Sequence, residues 1–353
     1  MRTKKDLLVA LKKELALQKK YLDGEKISSL YFGGGTPSLL TSGELNDIFE
    51  TIYKMHAIEA NPEITIEANP DDLTHTYLDD LKKNTPINRF SIGVQSFFDE
   101  DLAFMNRAHN AEQAHAAIHY AQDIGFTNLT IDLIYGVPTS DNARWTKNLE
   151  RALSYNLPHI SSYALTVETG TVLYAQIKKK KTLPVEDEKA AEQFNILIEK
   201  LCKNGYDHYE ISNFARPGHY ARHNSNYWLG AKYLGIGPSA HSFNGVSRQW
   251  NVAHNFNYIK SIQDNQVPST EEILTLDQRY NEYVMTRLRT IWGCDIKDIN
   301  ENFGEKYQSY FEKNIEKFIN CGWMRISKNI FTLTDSGKLM ADFITQELFF
   351  SEQ

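Results

Sequence analysis

Strand-like and helix-like runs alternate through the first half of the chain, and this alternation constrains the fold more than any other feature. The strand-like segments are "ISSLYFGG" (27–34), "EITIEAN" (63–69), "NRFSIGVQS" (88–96), "NLTIDLIYGVP" (128–138) and "HISSYALTV" (159–167). Between them lie stretches with helical spacing of apolar residues, such as "SGELNDIFETIYKMH" (42–56) and "AEQAHAAIHYAQDIG" (111–125). Repeated strand–helix units predict a parallel sheet, which closes into a full or partial barrel when both faces are covered. The opening "MRTKKDLLVALKKELALQKK" places Leu7, Leu8, Leu11 and Leu15 on one helical face. With Asp6 and Glu14 among its lysines, it predicts an amphipathic helix rather than a targeting leader.

The second half changes character twice. A helix is expected over 186–204, after a solvated lysine turn at 178–181. Residues 206–243 are rich in Tyr, His, Asn and Gly and predict a strand, a long ordered loop and a further strand or two. From about 270 three helical stretches, the hairpin "MRISKNIFTLT" and a final helix "DSGKLMADFITQELFF" predict a winged-helix-like module. That module, residues 271–353, carries 14 Asp/Glu against 10 Lys/Arg. A DNA-reading surface should be basic, so the module is expected to pack on the rest of the protein or on a partner. The whole chain has a formal charge of −7, which likewise argues against a nucleic-acid partner. No apolar run reaches the roughly 18 residues of a membrane span, and a cytoplasmic protein is expected. Cys202, Cys294 and Cys321 are far apart in sequence, which excludes a disulfide framework and predicts reduced thiols.

The stretch "YFGGGTPS" (31–38) stands at the carboxyl end of the first strand-like run. Ligands of parallel α/β folds bind at that end, and glycine allows the backbone to approach them. Glu67, Gln95 and Asp132 stand at or near the ends of later strands, and Arg107 follows in a helix-like segment. A carboxylate inside an apolar run such as "LTIDLIYG" is costly unless it meets a partner. For the set, a shared polar ligand is the better explanation than separate salt bridges. Carboxyl and amide groups suit hydroxyls, and an arginine suits a carboxylate.

The motifs "YFGGGTPS", "IEANP", "SIGVQSF", "MNRAHN", "TIDLIYGVP" and "SSYALTVETGT" resemble those of the radical S-adenosylmethionine (SAM) family of oxygen-independent coproporphyrinogen III dehydrogenases. The run "YEISNFARPG…RHNSNYW…GIGPSAHS" is similar to the family's heme-chaperone branch, and the resemblance covers essentially the whole chain. It implies an α/β fold: a radical SAM partial (β/α)6 barrel with a C-terminal winged-helix-like module. It implies three segments: the barrel over 1–205, an extension carrying H-N-x-x-Y-W over 206–268, and the C-terminal domain over 269–353. Gly34, Gly35 and Thr36 would hold the methionine portion of SAM. Glu67, Gln95, Arg107, Asp132 and Ala164 match SAM-contacting positions, with Ala164 near the adenine.

Family members carry C-x-x-x-C-x-x-C upstream of the glycine motif, and its thiolates hold a [4Fe–4S] cluster. No cysteine precedes Cys202 here. The resemblance therefore implies that the first barrel strand and cluster loop are missing, and an N-terminal truncation is expected ahead of a naturally cluster-free descendant. As given, the chain is not expected to perform radical chemistry.

"HNSNYW" (223–228) matches a motif of the chaperone branch that the dehydrogenases lack. His223 is the candidate axial heme ligand, and Arg216 and Arg222 are candidates to neutralise propionates; His208, His219 and His241 remain competing ligands. The resemblance implies a chaperone that binds heme and passes it to respiratory hemoproteins. The alternatives are a porphyrinogen dehydrogenase, which decarboxylates two propionates, and a binding domain without catalysis.

Overall fold

The computed structural model describes residues 2–351. In chain order its first elements are α1 (Arg2–Leu17), β1 (Ile27–Phe32), α2 (Ser42–Met55), β2 (Ile58–Ala68), α3 (His75–Asn84) and β3 (Arg89–Gln95). Next come α4 (Asp99–Phe104), α5 (Ala111–Asp123), β4 (Asn128–Tyr135), α6 (Asn142–Ser154), β5 (His159–Ala164), α7 (Val172–Lys178) and α8 (Asp187–Lys203). Then follow β6 (Asp207–Glu210), β7 (Asn213–Ala215), α9 (Arg222–Trp228), β8 (His241–Phe243), β9 (Ser247–Asn251), α10 (Asn255–Gln263) and β10 (Ser269–Ile273). The C-terminal part holds α11 (Leu276–Leu288), β11 (Cys294–Asp295), α12 (Ile296–Phe303), α13 (Glu305–Asn320), β12 (Met324–Ser327), β13 (Ile330–Leu333), α14 (Asp335–Lys338) and α15 (Ala341–Glu347).

A seven-stranded sheet runs in the order β1-β2-β3-β4-β5-β7-β6. Strands β2 to β5 pair in parallel, and β7 joins β5 and β6 in antiparallel fashion. The chain forms two compact units, and the division falls within β1 and β2. One contains Tyr31–Leu39 and Ile64–Ala221; the other contains the residues up to Leu30, Leu40–Glu63 and the chain from Arg222 onward.

In the unit of 31–39 and 64–221, the strands alternate with period two. Phe90, Ile92, Val94, Leu129, Ile131 and Leu133 are fully buried. The helices that follow the strands contribute buried apolar faces of their own: Leu78 and Leu81 from α3, Ala117 and Ile118 from α5, Trp145 and Leu149 from α6. The intervening residues Thr65, Glu67, Arg89, Ser91, Thr130, Asp132, His159 and Ser161 belong to the opposite face of the strands. That face is therefore polar, unlike the near-continuous apolar runs of strands buried between two helical layers. Near the amino ends of the strands, Arg89 donates to Asn128 and Thr130, and His159 lies 3.1 Å from Thr130 Oγ1 and 2.8 Å from the Tyr209 hydroxyl. Burial, and then Arg89, hold the His159 imidazole well below its ordinary range, so it is neutral.

The other unit is organised around α1. Ala10 packs with Tyr258, Ile259 and Ile262 of α10, with Leu7, Leu11 and Val267 at the margin. Strands β8, β9 and β10 form an antiparallel sheet, and β11, β13 and β12 form another inside the C-terminal module. Val284, Ile299, Phe311, Ile315 and Phe318 supply that module's buried helical positions, and Phe331 and Leu333 those of its hairpin.

Three details differ from the sequence reading. Strand β2 begins at Ile58, five residues before the expected start. The expected final helix is two short ones, α14 and α15. The stretch at 222–228, expected in a loop, is helix α9. The backbone N–H groups of Arg222 and His223 donate to the two carboxylate oxygens of Glu63 at 3.0 and 2.8 Å. A helix N-terminus needs such acceptors, and this one comes from about 160 residues earlier in the chain, outside any local sequence window.

Candidate functional site

A polar cleft of about 260 Å³ lies at the carboxyl ends of β2, β3 and β4, and Gly35, Thr36, Glu67, Gln95, Arg107 and Asp132 all line it. The turn after β1 brings the glycines there. Gly34 and Gly35 have φ of 72° and 60°, a region side chains resist, so the turn itself calls for glycine. A Cβ at either position would meet nothing within 4 Å, so the same residues also leave open space. The Gly34 N–H donates to Glu67 Oε2 at 3.1 Å, and the Tyr31 hydroxyl donates to Glu67 Oε1 at 2.7 Å. Burial, and then the Glu67 charge, push the Tyr31 phenol up, so it stays a donor.

Gln95 adopts φ of 66° where the β3–β4 register shifts between Ile92 and Gln95. Such a bulge re-aims a side chain at a strand end. Gly93 leaves room for both side chains, since a Cβ there would lie 2.9 Å from Gln95 Nε2 and 3.4 Å from Arg107 Nη2. Arg107 donates from Nη2 to Asn69 Oδ1 at 2.8 Å, while its buried Nε finds no acceptor among the described residues. A buried guanidinium N–H without an acceptor is costly and marks a place for an anionic ligand group.

Asp132 completes the cleft. Ser91 Oγ lies 3.3 and 3.4 Å from its two carboxylate oxygens. Burial, and then Glu67, push its carboxyl up to about 6, against hydrogen bonds from Ser161 and Ser91. The cleft thus holds one guanidinium and two carboxyl groups near glycine-rich backbone. It matches a small zwitterion that offers a carboxylate, an amine and hydroxyls.

Comparison with known proteins identifies the relatives. The profile of the Radical SAM superfamily matches residues 7–152, and that of the HemN C-terminal domain matches residues 274–340. The chain is 34% identical to the heme chaperone HemW of Buchnera aphidicola subsp. Schizaphis graminum, over 94% of this chain and 86% of that protein. It is 30% identical to heme chaperone HemW of Mycobacterium tuberculosis (97% of this chain, 85% of that protein) and 32% identical to that of Bacillus subtilis (90% and 84%).

The chain belongs to the HemW family of radical SAM proteins.

Among solved structures, Escherichia coli HemN, described as a coproporphyrinogen III oxidase and radical SAM enzyme, superposes with a TM-score of 0.83. That match covers 99% of this chain and 83% of that one at 24% identity. It shows the fold, which is the radical SAM partial barrel with the HemN-type C-terminal module.

Three of the expected site residues are not part of the cleft lining: Gly34, next to Gly35 in the turn, Ala164 and His223. Ala164 ends β5, paired with Tyr135, and is not part of the lining. At about 260 Å³ the cleft is smaller than the roughly 300–1,000 Å³ of small-molecule pockets and suits an amino-acid-sized group. His223 belongs to the other compact unit. There its Nδ1 lies 3.1 Å from Ser29 Oγ, and its ring meets Tyr227 edge-on at 5.1 Å. Tyr227 is exposed and contacts Tyr233 at 4.3 Å, and the indole N–H of Trp228 is buried without an acceptor among the described residues. Burial pushes the His223 imidazole down to about 4, so it is neutral at ordinary pH. A neutral imidazole beside an exposed aromatic face fits an iron porphyrin.

Two of the other heme-site candidates are already engaged. His208 is buried and stacked on Phe214 at 4.1 Å, and Arg222 already bonds Ser28 O, Asn61 O and Glu59. His219 and His241 are exposed. The residues do not fit a [4Fe–4S] cluster: Cys202 and Cys321 are exposed, Cys294 is buried, and no three potential ligands converge among the described residues. Sequence reasoning missed Tyr31, Ser38, Asn69, Asp72 and Gly93. The one signal for the middle three was their short polar character directly after a strand, in "TPS" and "NPDD".

Proposed function

We propose that this chain is a heme chaperone that binds heme through His223 and passes it to acceptor hemoproteins, respiratory ones among them. The observation that carries the reading is the imidazole of His223, kept neutral by burial and held at Nδ1 by Ser29, on the helix formed by H-N-x-x-Y-W. In this reading the cleft of the barrel takes SAM. Gly34, Gly35 and Thr36 receive its methionine portion, Arg107 its carboxylate, and Glu67, Gln95 and Asp132 its amine and hydroxyls, with the adenine towards Ala164. The segments 1–205, 206–268 and 269–353 then serve as barrel, heme-binding extension and C-terminal domain.

Heme titration of the purified chain, followed at the Soret band, tests the heme site. His223→Ala is expected to shift the band and weaken binding at least tenfold, and Cys202→Ser to change neither. An unchanged spectrum and affinity in His223→Ala would remove His223 as the ligand. Conversion of coproporphyrinogen III by a version of the chain that carries the family's cluster loop would argue for the oxidase reading instead.

A further inference from the structure

The glycine loop and Arg107 are joined by three short polar side chains that neither the sequence motifs nor the relatives' names assign. Ser38, in the turn Pro37–Leu39, donates to Asp72 Oδ2 at 2.6 Å. Asp72 closes the turn Pro70–Asp72 just after β2, and the same oxygen lies 3.5 Å from Asn69 Nδ2. Asn69 Oδ1 accepts the Arg107 Nη2 hydrogen at 2.8 Å. All four residues lie in one compact unit, and Ser38, Asn69 and Arg107 line the cleft itself.

The orientation of the Asn69 amide follows from chemistry. A guanidinium offers only donors, so the amide oxygen must face it and the amide N–H must face away. The N–H then points to the one carboxylate in this chain of contacts, that of Asp72. This arrangement separates two tasks. Asp72 latches the glycine loop through Ser38 and orders Asn69, while the neutral amide keeps the carboxylate out of direct contact with Arg107. Had the acid stood at position 69, it would pair with the guanidinium directly and compete with any anionic ligand, since charge-assisted arginine–carboxylate pairs are the stronger ones. Instead Arg107 Nη2 meets neutral acceptors, Asn69 Oδ1 at 2.8 Å and, more distantly, the Gly93 carbonyl at 3.5 Å, and its Nε keeps no acceptor among the described residues.

We propose that Asn69 is a positioning residue that aims the Arg107 guanidinium at the ligand's carboxylate while leaving its charge unspent, with Asp72 and Ser38 holding Asn69 and the glycine loop in register. This rests on the reading of the cleft as a SAM site and adds the residues that decide selectivity for the carboxylate.

Equilibrium binding of SAM and of decarboxylated SAM, which differ only in that carboxylate, tests it in the full chain. The wild type should favour SAM at least tenfold. Asn69→Asp should erase that preference by weakening SAM at least tenfold, while decarboxylated SAM changes less than threefold; its retained binding shows that the variant is folded. Asn69→Ala should keep part of the preference, since Arg107 loses its aim but not its charge. If the wild type and Arg107→Ala bind the two ligands alike, the SAM reading of the cleft is wrong. If the wild type prefers SAM and Asn69→Asp keeps the full preference, the positioning role of Asn69 falls and the SAM reading stands.

Discussion

Glu14 and Asp132 are both carboxyl groups drawn out of water, one in each compact unit, and their surroundings differ sharply. Glu14, on α1, is fully buried and accepts from the Gly237 N–H at 2.8 Å, Asn251 at 2.7 Å, Gln18 at 2.8 Å and the Tyr258 hydroxyl at 2.5 Å. Asp132 has Ser91 at 3.3 Å or more and a further hydroxyl from Ser161. Four close donors solvate the first in place of water, whereas the second keeps unused acceptor capacity facing a cleft. A carboxylate whose partners are complete is a structural joint. One whose partners are incomplete is poised for a ligand.

The comparison can be broken most forcefully at Glu14. Glu14→Ala would strand four donors, each costing about 1–3 kcal/mol when buried without an acceptor. The expected loss is therefore several kcal/mol, read as a large drop in the urea midpoint. A change below about 1 kcal/mol would show that the network is not structural.

Asp132→Asn should act in the opposite direction. With the native carboxyl pushed up to about 6 from an ordinary 3.8, the folded chain binds more protons than the unfolded chain between those values. Stability contributed by the protonated form is present at low pH and lost as pH rises across that window. The substitution removes the charged form, so at pH 7 it should stabilise by up to about 3 kcal/mol, and at pH 4 by close to nothing. Denaturant unfolding at both values decides it; an equal effect at the two would mean that Asp132 is not the titrating group. The gain in stability should come with weaker SAM binding at pH 7.

The smallest effect on stability is expected in the glycine turn. Gly35→Val places a Cβ in open space, so its cost is that of the left-handed backbone, about 1–2 kcal/mol. SAM affinity should fall as the branched side chain fills the cleft. Unchanged SAM binding in that variant would sever the loop from the ligand.

Much of the barrel was legible because period-two strands and 3.6-period helices are local signals. The expected strands at 27–34, 88–96, 128–138 and 159–167 all overlap observed ones, each of which ends a little early. Gly35, Thr36, Glu67, Gln95, Arg107 and Asp132 could be grouped because parallel strands deliver their carboxyl ends to one place. Helix α9 was not legible, since its N-terminal acceptor, Glu63, is remote in sequence. Glu14 was read as one acid among lysines on an amphipathic helix. Nothing nearby announces that three of its four donors come from 237–258. Asn69 and Asp72 read as ordinary turn residues, and only their distances to Arg107 and Ser38 reveal another task.

The Glu14 joint also bears on the order in which the protein can assemble during synthesis. Helix α1 is made well before the segments that complete it: three of its carboxylate's four donors lie 223 to 244 residues further along. The unit built from 31–39 and 64–221 has all its strands available before those donors are made. Folding is therefore not strictly vectorial: α1 must wait, with Leu7, Ala10 and Leu11 uncovered, until α10 has been made. In this interval the nascent chain is most exposed to misassociation, and the closing of Gly237, Asn251 and Tyr258 around Glu14 ends it.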